Sequence, residues 1–196
     1  YMKKNFKLRR GGLIIFIAGY FIGDATAIGR VNKQIGQSVD KQVSSTKEEA
    51  KEEKKDVKFG EQSPVGNLSI KILEAKENGA ISNESGKSTP SGKFIVIKLD
   101  IKNNGEEATE YEPHEFKLND GKKTYEVDDN SFEALGHLNS QESIFRENKN
   151  FIGSYDKINA GINKNTFLVF DIPKDVKIDN LKLITEHNKG IQFNLK

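Results

Sequence analysis

The sequence predicts an all-β fold, an antiparallel β-sandwich, and three observations carry that expectation. From Val65 onward the apolar residues recur at every second position, the period of a strand with one buried face. About seven such runs are punctuated by Asn/Asp/Gly turn signals. No long helical pattern separates them, so the strands need no helical crossovers and can pair with sequence neighbours.

The 196 residues divide into three parts by composition: 1–29, 30–64 and 65–196. The chain is hydrophilic, 35% apolar and 31% charged, with a net charge of +2. That balance hides an asymmetry. Residues 1–30 hold six Lys/Arg against one acid, whereas residues 61–196 hold 18 basic and 22 acidic side chains. The folded part is therefore mildly acidic. A phosphate-tracking groove needs clustered Lys/Arg, so no nucleic acid is expected as a partner. With no cysteine, the chain has no disulfide, thiolate metal site, Cys nucleophile or lipid-modified cysteine.

Residues 1–29 have the form of a membrane-targeting segment. The basic stretch Lys3 to Arg10 precedes the apolar run Leu13 to Ile22. Basic residues stay on the cytoplasmic side, so the remainder of the chain is expected to be translocated. Two readings stand side by side. Ala25-Thr26-Ala27 fits a signal-peptide cleavage site. Alternatively the segment is an uncleaved transmembrane helix running on to about Ile28, with Asp24 near the outer interface. The expected location is the cell membrane with an extracytoplasmic domain, or the medium.

Residues 30–64 read as a charged, partly helical spacer. Ile28, Val31, Ile35, Val39 and Val43 form one helical stripe, and Glu48–Lys51 and Glu52–Lys55 are i,i+3 pairs that support helix through about residue 58. The stripe is short for a coiled coil, though self-association through it is a second possibility. Gly60 to Pro64 ends the helix.

In residues 65–196 the strongest strand is Phe94 to Asn103. Ile95, Ile97, Leu99 and Ile101 share one face, and Lys98, Asp100 and Lys102 the other. Before it, Leu68, Ile70 and Ile72 alternate, and Asn78 to Lys93 reads as a flexible loop. After the turn Asn103-Asn104-Gly105, a hairpin is expected from Phe116-Lys117-Leu118, the turn Asn119-Asp120-Gly121, and Thr124 to Val127. Phe167 to Ile172, Leu181 to Thr185 and Ile191 to Leu195 complete the set.

Several of these stretches, in this order and spacing, resemble a known family. They are Gly92 to Ile97 leading to Asn103-Asn104-Gly105-Glu106, then Phe116 to Gly121 with Tyr125. Ile158-Asn159-Ala160-Gly161 and Leu168 to Pro173 follow. Together they resemble the immunoglobulin-like "immunoprotective extracellular" domains of Gram-positive bacteria, which include a secreted mycobacterial antigen. The resemblance spans roughly residues 66–187 and implies an immunoglobulin-like sandwich without catalytic residues. Ala160 stands where that family usually has proline, which bears only on a turn.

His114, His137 and His187 lie in separate segments with no metal-ligand spacing. Gly86-Lys87-Ser88 lacks the upstream glycine of a phosphate loop, since position 81 is Ile81. Asp128-Asp129-Asn130 lacks the spacing of a calcium loop and reads as a polar turn. Glu106, Glu107, Glu110, Glu112 and Glu115 read as protection of a strand edge, with an acidic docking face for a basic partner as the alternative. The sequence is thus expected to carry no enzyme activity, cofactor or metal. Ser131 to Tyr155 is apolar without strand alternation. A short helix capped by Ser131, folded back as a lid on the sandwich, is one reading; a contact surface is the other. The candidate binding residues are Phe132, Leu138, Phe145, Phe151 and Tyr155. The expected function is an extracytoplasmic binding module of unknown ligand, its partner an envelope protein or a second copy. The alternative is an accessory envelope protein that self-associates through the spacer.

Overall fold

The computed structural model describes residues 55–186 and 190–196. The expected membrane segment, and the spacer up to residue 54, lie outside the described residues. Among the described residues no helix is long and apolar enough to cross a membrane.

The chain forms a β-sandwich. The early strands are β1 (Lys55–Val57), β2 (Gln62–Val65), β3 (Leu68–Asn78), β4 (Ile81–Asn83), β5 (Gly86–Ser88) and β6 (Lys93–Asn103). Next come β7 (Thr109–Glu110), β8 (Phe116–Asn119), β9 (Thr124–Tyr125) and the helix α1 (Asp129–Ser140). The last are β10 (Lys157–Ile158), β11 (Asn163–Ile172), β12 (Lys182–Thr185) and β13 (Ile191–Asn194). One sheet runs β11-β6-β3-β2 and the other β1-β13-β12-β8-β9. Ile95, Ile97, Leu99 and Ile101 of β6 meet Leu118, Leu183 and Phe193 of the opposite sheet in one continuous core. The alternation read from the sequence thus selects the core face of β6 correctly, and full burial of each such side chain is worth about 1.5–3 kcal/mol.

Four expectations are corrected. The spacer helix does not reach residue 58 and the domain does not start at 65: β1 and β2 belong to the two sheets. β1 lies parallel to β13, so the sandwich is not antiparallel throughout. Local charge pairs are worth only a few tenths of a kcal/mol each, less than burying Val57 against the core. Pro64 sits within β2, an edge strand, where its missing N–H faces no partner. The loop from Asn78 to Lys93 contains the β4–β5 hairpin, anchored by buried Ile81.

The fourth correction concerns the stretch from Ser131 to Tyr155. Its helix spans Asp129–Ser140, and its cap is Asp128, whose carboxylate accepts from the Ser131 N–H at 2.8 Å. Ser131 is buried, and its hydroxyl accepts from the Asp171 N–H at 2.7 Å, tying α1 to β11. The stretch folds back on the inter-sheet core only in part: Phe132 packs against that core and Ile152 is buried within it. Ala134 and Leu135 pack on the outer face of the first sheet, against Phe94, Val96 and Val169. The outward side of β6 is therefore polar only toward Lys98 and Asp100, and apolar where α1 covers it.

Candidate functional site

The helical insertion makes two features on the surface, one at each end. At its C-terminal end α1 passes into a π-helical turn, Gln141–Phe145, which ends at Glu147 in the left-handed region (φ 47°). π turns shift side chains by one position relative to the helix and recur at functional sites. Here the turn carries Ile144 and Phe145 outward, 67% and 41% exposed. Beside them lies a cleft of about 330 Å³ between the turn, β3 and β4. Its apolar floor is Ile81, Val96, Leu138 and Phe167, and its rim carries Lys76 and Arg146.

The cleft's polar groups are mostly tied to one another. Glu142 is buried and accepts from Arg146 at 2.6 Å and from the Asn148 amide at 2.7 Å. Lys76 pairs with Glu74 at 3.3 Å. The buried Asn78 side-chain oxygen, in the cleft wall, has no hydrogen-bond partner among the described residues. Close by in the chain, the His137 ring is held by the Ser85 hydroxyl at 3.0 Å from Nδ1, while its buried Nε2 has no partner there.

The other end of α1 carries an aromatic cluster. Phe132 stacks on His114 at 5.3 Å between centroids, and Tyr155 lies 6.0 Å from Phe132 and 6.3 Å from His114. Tyr155 is 44% exposed and holds a left-handed backbone (φ 65°), uncommon for a non-glycine residue. Its N–H donates to Tyr111 O at 2.8 Å, and the Tyr111 N–H donates to Asp156 O, which continues the β7–β10 ladder. Tyr111 is buried and its hydroxyl donates to Phe167 O at 2.8 Å. Burial pushes that phenol well above its ordinary value, so it remains a neutral donor.

Among the charged groups with shifted titration, Asp171 and Lys117 serve the scaffold. Burial by itself would raise Asp171, but hydrogen bonds from the Ser91 and Gly92 N–H groups and the Asn130 amide outweigh it and hold the carboxyl below its usual value. Lys117, on the outer face of the other sheet, is raised by hydrogen bonds to Glu126 (2.6 Å) and Glu186 (2.7 Å). The stretch from Asp128 to Asn130 caps and anchors α1. Among the described residues, no three His, Asp or Glu side chains are placed to hold a metal ion.

The five residues singled out from the sequence are not brought together as one site. Phe132 and Tyr155 share the aromatic cluster; Leu138 lines the cleft; Phe145 projects beside it. Phe151 is buried against Phe167, with centroids 5.8 Å apart, and is a packing residue.

The family described as a domain of unknown function, DUF4352, matches residues 57–191, from β1 to the start of β13. The chain belongs to the DUF4352 family. That description assigns no activity, and it supports the unknown-function side of the resemblance, not the immunoprotective one. No curated protein matches the sequence. A conserved hypothetical protein from Bacillus anthracis shares the fold at 19% identity and a TM-score of 0.51, over 70% of this chain and 94% of that one. An uncharacterized beta-sandwich protein from Clostridium difficile 630 is 21% identical with a TM-score of 0.46, over 74% and 98%. The secreted protein MPT63 from Mycobacterium tuberculosis is 12% identical with a TM-score of 0.45, over 72% and 97%.

Sequence reasoning missed Lys76 and Asn78 as cleft residues because it follows the alternation of β3 only to Ile72, and Ile81 because β4 lies in a stretch that reads as loop. It missed His114 as the ring beneath Phe132. The alternation of β3, which sends Glu74, Lys76 and Asn78 to one face, was the available signal for the first two.

Proposed function

We propose that this chain is an extracytoplasmic, non-catalytic binding module, tethered to the membrane or released by its N-terminal segment, whose partner-contacting element is the helical insertion. The observation that carries this reading is the π turn. It spends its backbone on presenting Ile144 and Phe145 to solvent next to a cleft, although the helix before it buries its apolar residues. Exposed side chains of this size beside a concavity mark a contact surface. Binding without chemistry is supported by the cleft's charged groups: Glu142, Arg146 and Lys76 are occupied with structural pairs. The basic-then-apolar order of residues 3–22 and the resemblance to extracellular domains support placement outside the cytoplasm.

The test compares the full chain with its Ile144→Ser/Phe145→Ser variant as baits for envelope proteins, with melting temperature as the control for folding. Loss of a partner by a variant that still melts normally is the expected outcome; an unchanged partner set removes this surface from the mechanism. Cell fractionation checks the location. Recovery of the chain from the cytosol with residues 2–22 still attached would overturn it.

The second reading, self-association through the spacer, is favoured by the stripe Ile28, Val31, Ile35, Val39 and Val43. Sedimentation of chains with and without residues 28–54 decides it: a monomer in both cases ends it.

A further inference from the structure

We infer that the surface formed by His114, Phe132 and Tyr155 docks a basic polypeptide segment, whose Lys or Arg side chains lie against the rings and along a neighbouring carboxylate-lined groove. This surface is separate from the π turn and its cleft, and the inference does not depend on the function proposed for them.

Three observations converge on it. The first is the aromatic platform itself. Three rings with centroids 5.3–6.3 Å apart form one patch, and two of its members, His114 and Tyr155, are exposed. Aromatic faces attract Lys and Arg cations. Tyr155 is held outward by a left-handed backbone that two ladder hydrogen bonds enforce. The second is charge. The segments bearing the rings, residues 105–115, 128–135 and 153–158, contain nine acids and one cation, Lys157. Glu106, Glu107, Glu110 and Glu112 make no ion pair within 4 Å among the described residues, although Lys157 is cross-strand from Glu110.

The third is shape. Glu110, Glu112 and Glu115 line a depression of about 390 Å³, and Glu106 and Glu107 line a second of about 440 Å³. The two share Asn67 and Thr109, so they run on from one another, and Glu112 and Glu115, which flank His114 in the chain, line the first. No Lys or Arg lines either one. The far end of the groove is preorganised by Asn103, fully buried at the end of β6. Its amide donates to Glu107 O and Ile158 O, and its oxygen accepts from the Gly105 N–H. Because these acids do not converge on a metal-binding point among the described residues, they match a partner whose positive charges are also spread along a chain. Charges arranged in that way steer and orient a partner more than they bind it tightly. The rings supply the contact that survives salt.

The probe is fluorescein-labelled hexa-lysine, titrated against the full chain in mild non-ionic detergent and read by anisotropy. Hexa-lysine is expected to bind, a Gly-Ser hexapeptide and hexa-glutamate not to bind, and the affinity to fall as salt rises from about 20 to about 200 mM. Tyr155→Asn keeps a residue that tolerates the left-handed backbone and is expected to weaken binding about two- to fivefold. Glu110→Gln/Glu112→Gln is expected to weaken it about two- to tenfold. Glu84→Gln, in the β4–β5 turn, leaves it unchanged. If Tyr155→Asn unfolds the chain, His114→Ala replaces it with the same expected loss. Hexa-lysine that binds no better than the neutral peptide overturns the inference. So does binding that ignores the loss of the ring in a folded variant, since charge alone would then account for it.

Discussion

Gly92 enters β6 with its Cα against the chain leaving β11: a methyl group added there would lie 2.1 Å from the Ile172 carbonyl oxygen and 2.9 Å from its carbon. Neither atom belongs to a side chain that can swing away. Gly92→Ala is therefore expected to cost about 1–3 kcal/mol, the range for forced overpacking, and a urea titration with unchanged slope would show it. Next to it, Asp171 accepts from the Ser91 and Gly92 N–H groups and from Asn130. Its carboxyl lies below the ordinary value when folded, so the chain is stabilised above the unfolded-state value of about 3.9 and loses that contribution as pH falls through the folded-state value. Asp171→Asn should flatten the acid side of the stability–pH curve; a variant with the same acid limb as the parent would show that these bonds do not discriminate between charge states. Asp128→Ala, which removes the α1 cap, is expected to cost about 1 kcal/mol by the same urea measurement.

The helix α1 behaves as a third layer, and Leu135 is its anchor, fully buried against Phe94, Val96 and Val169. Leu135→Ala is expected to cost about 2–5 kcal/mol by thermal or urea unfolding. A cost below about 1 kcal/mol would mean that the layer is only loosely applied. Why the sequence hid this element is instructive at its own residues. Gly136 and His137 interrupt the apolar stripe, and the cap is an Asp inside an Asp-Asp-Asn run that reads equally well as a turn. The helix is stabilised by the outer face of a sheet formed from distant strands, which no local window contains. The same holds for β1. Its three residues sit in a run of Lys and Glu with good helix propensity, yet they pair with β13 more than 130 residues later. A chain begun at residue 65 would lack both β1 and β2; it is expected to melt well below one begun near residue 48.

Both hydrophobic clusters of the whole domain draw on the same two strands. β6 gives Ile95, Ile97, Leu99 and Ile101 to the inter-sheet core and Phe94 and Val96 to the helix layer, while β11 divides Leu168, Phe170 and Ile172 from Val169 in the same way. β6 is also paired on both edges, with β3 and with β11. Amides of β6 are accordingly expected to be the last to exchange with deuterium, at or near the global unfolding free energy, and those of the β4–β5 hairpin among the first. Comparable protection across the two would show that the hairpin is not the weakly attached unit its three-residue strands imply.

What the sequence determined were features set by a residue and its near neighbours, though not all of them: the cap of α1 and the β4–β5 hairpin are local too, and both read otherwise. The two-residue period of β6 and the Asn119-Asp120-Gly121 hairpin are local consequences of side-chain direction and backbone sterics, and the structure has both at those residues. The tertiary structure alone decided which faces met. It placed α1 outside the sheet, enlisted a charged stretch as a parallel edge strand, parted Phe145 from Phe132 and buried Phe151. Those outcomes turn on apolar area removed from water between segments far apart in the chain, a quantity that exists only once the sheets have formed.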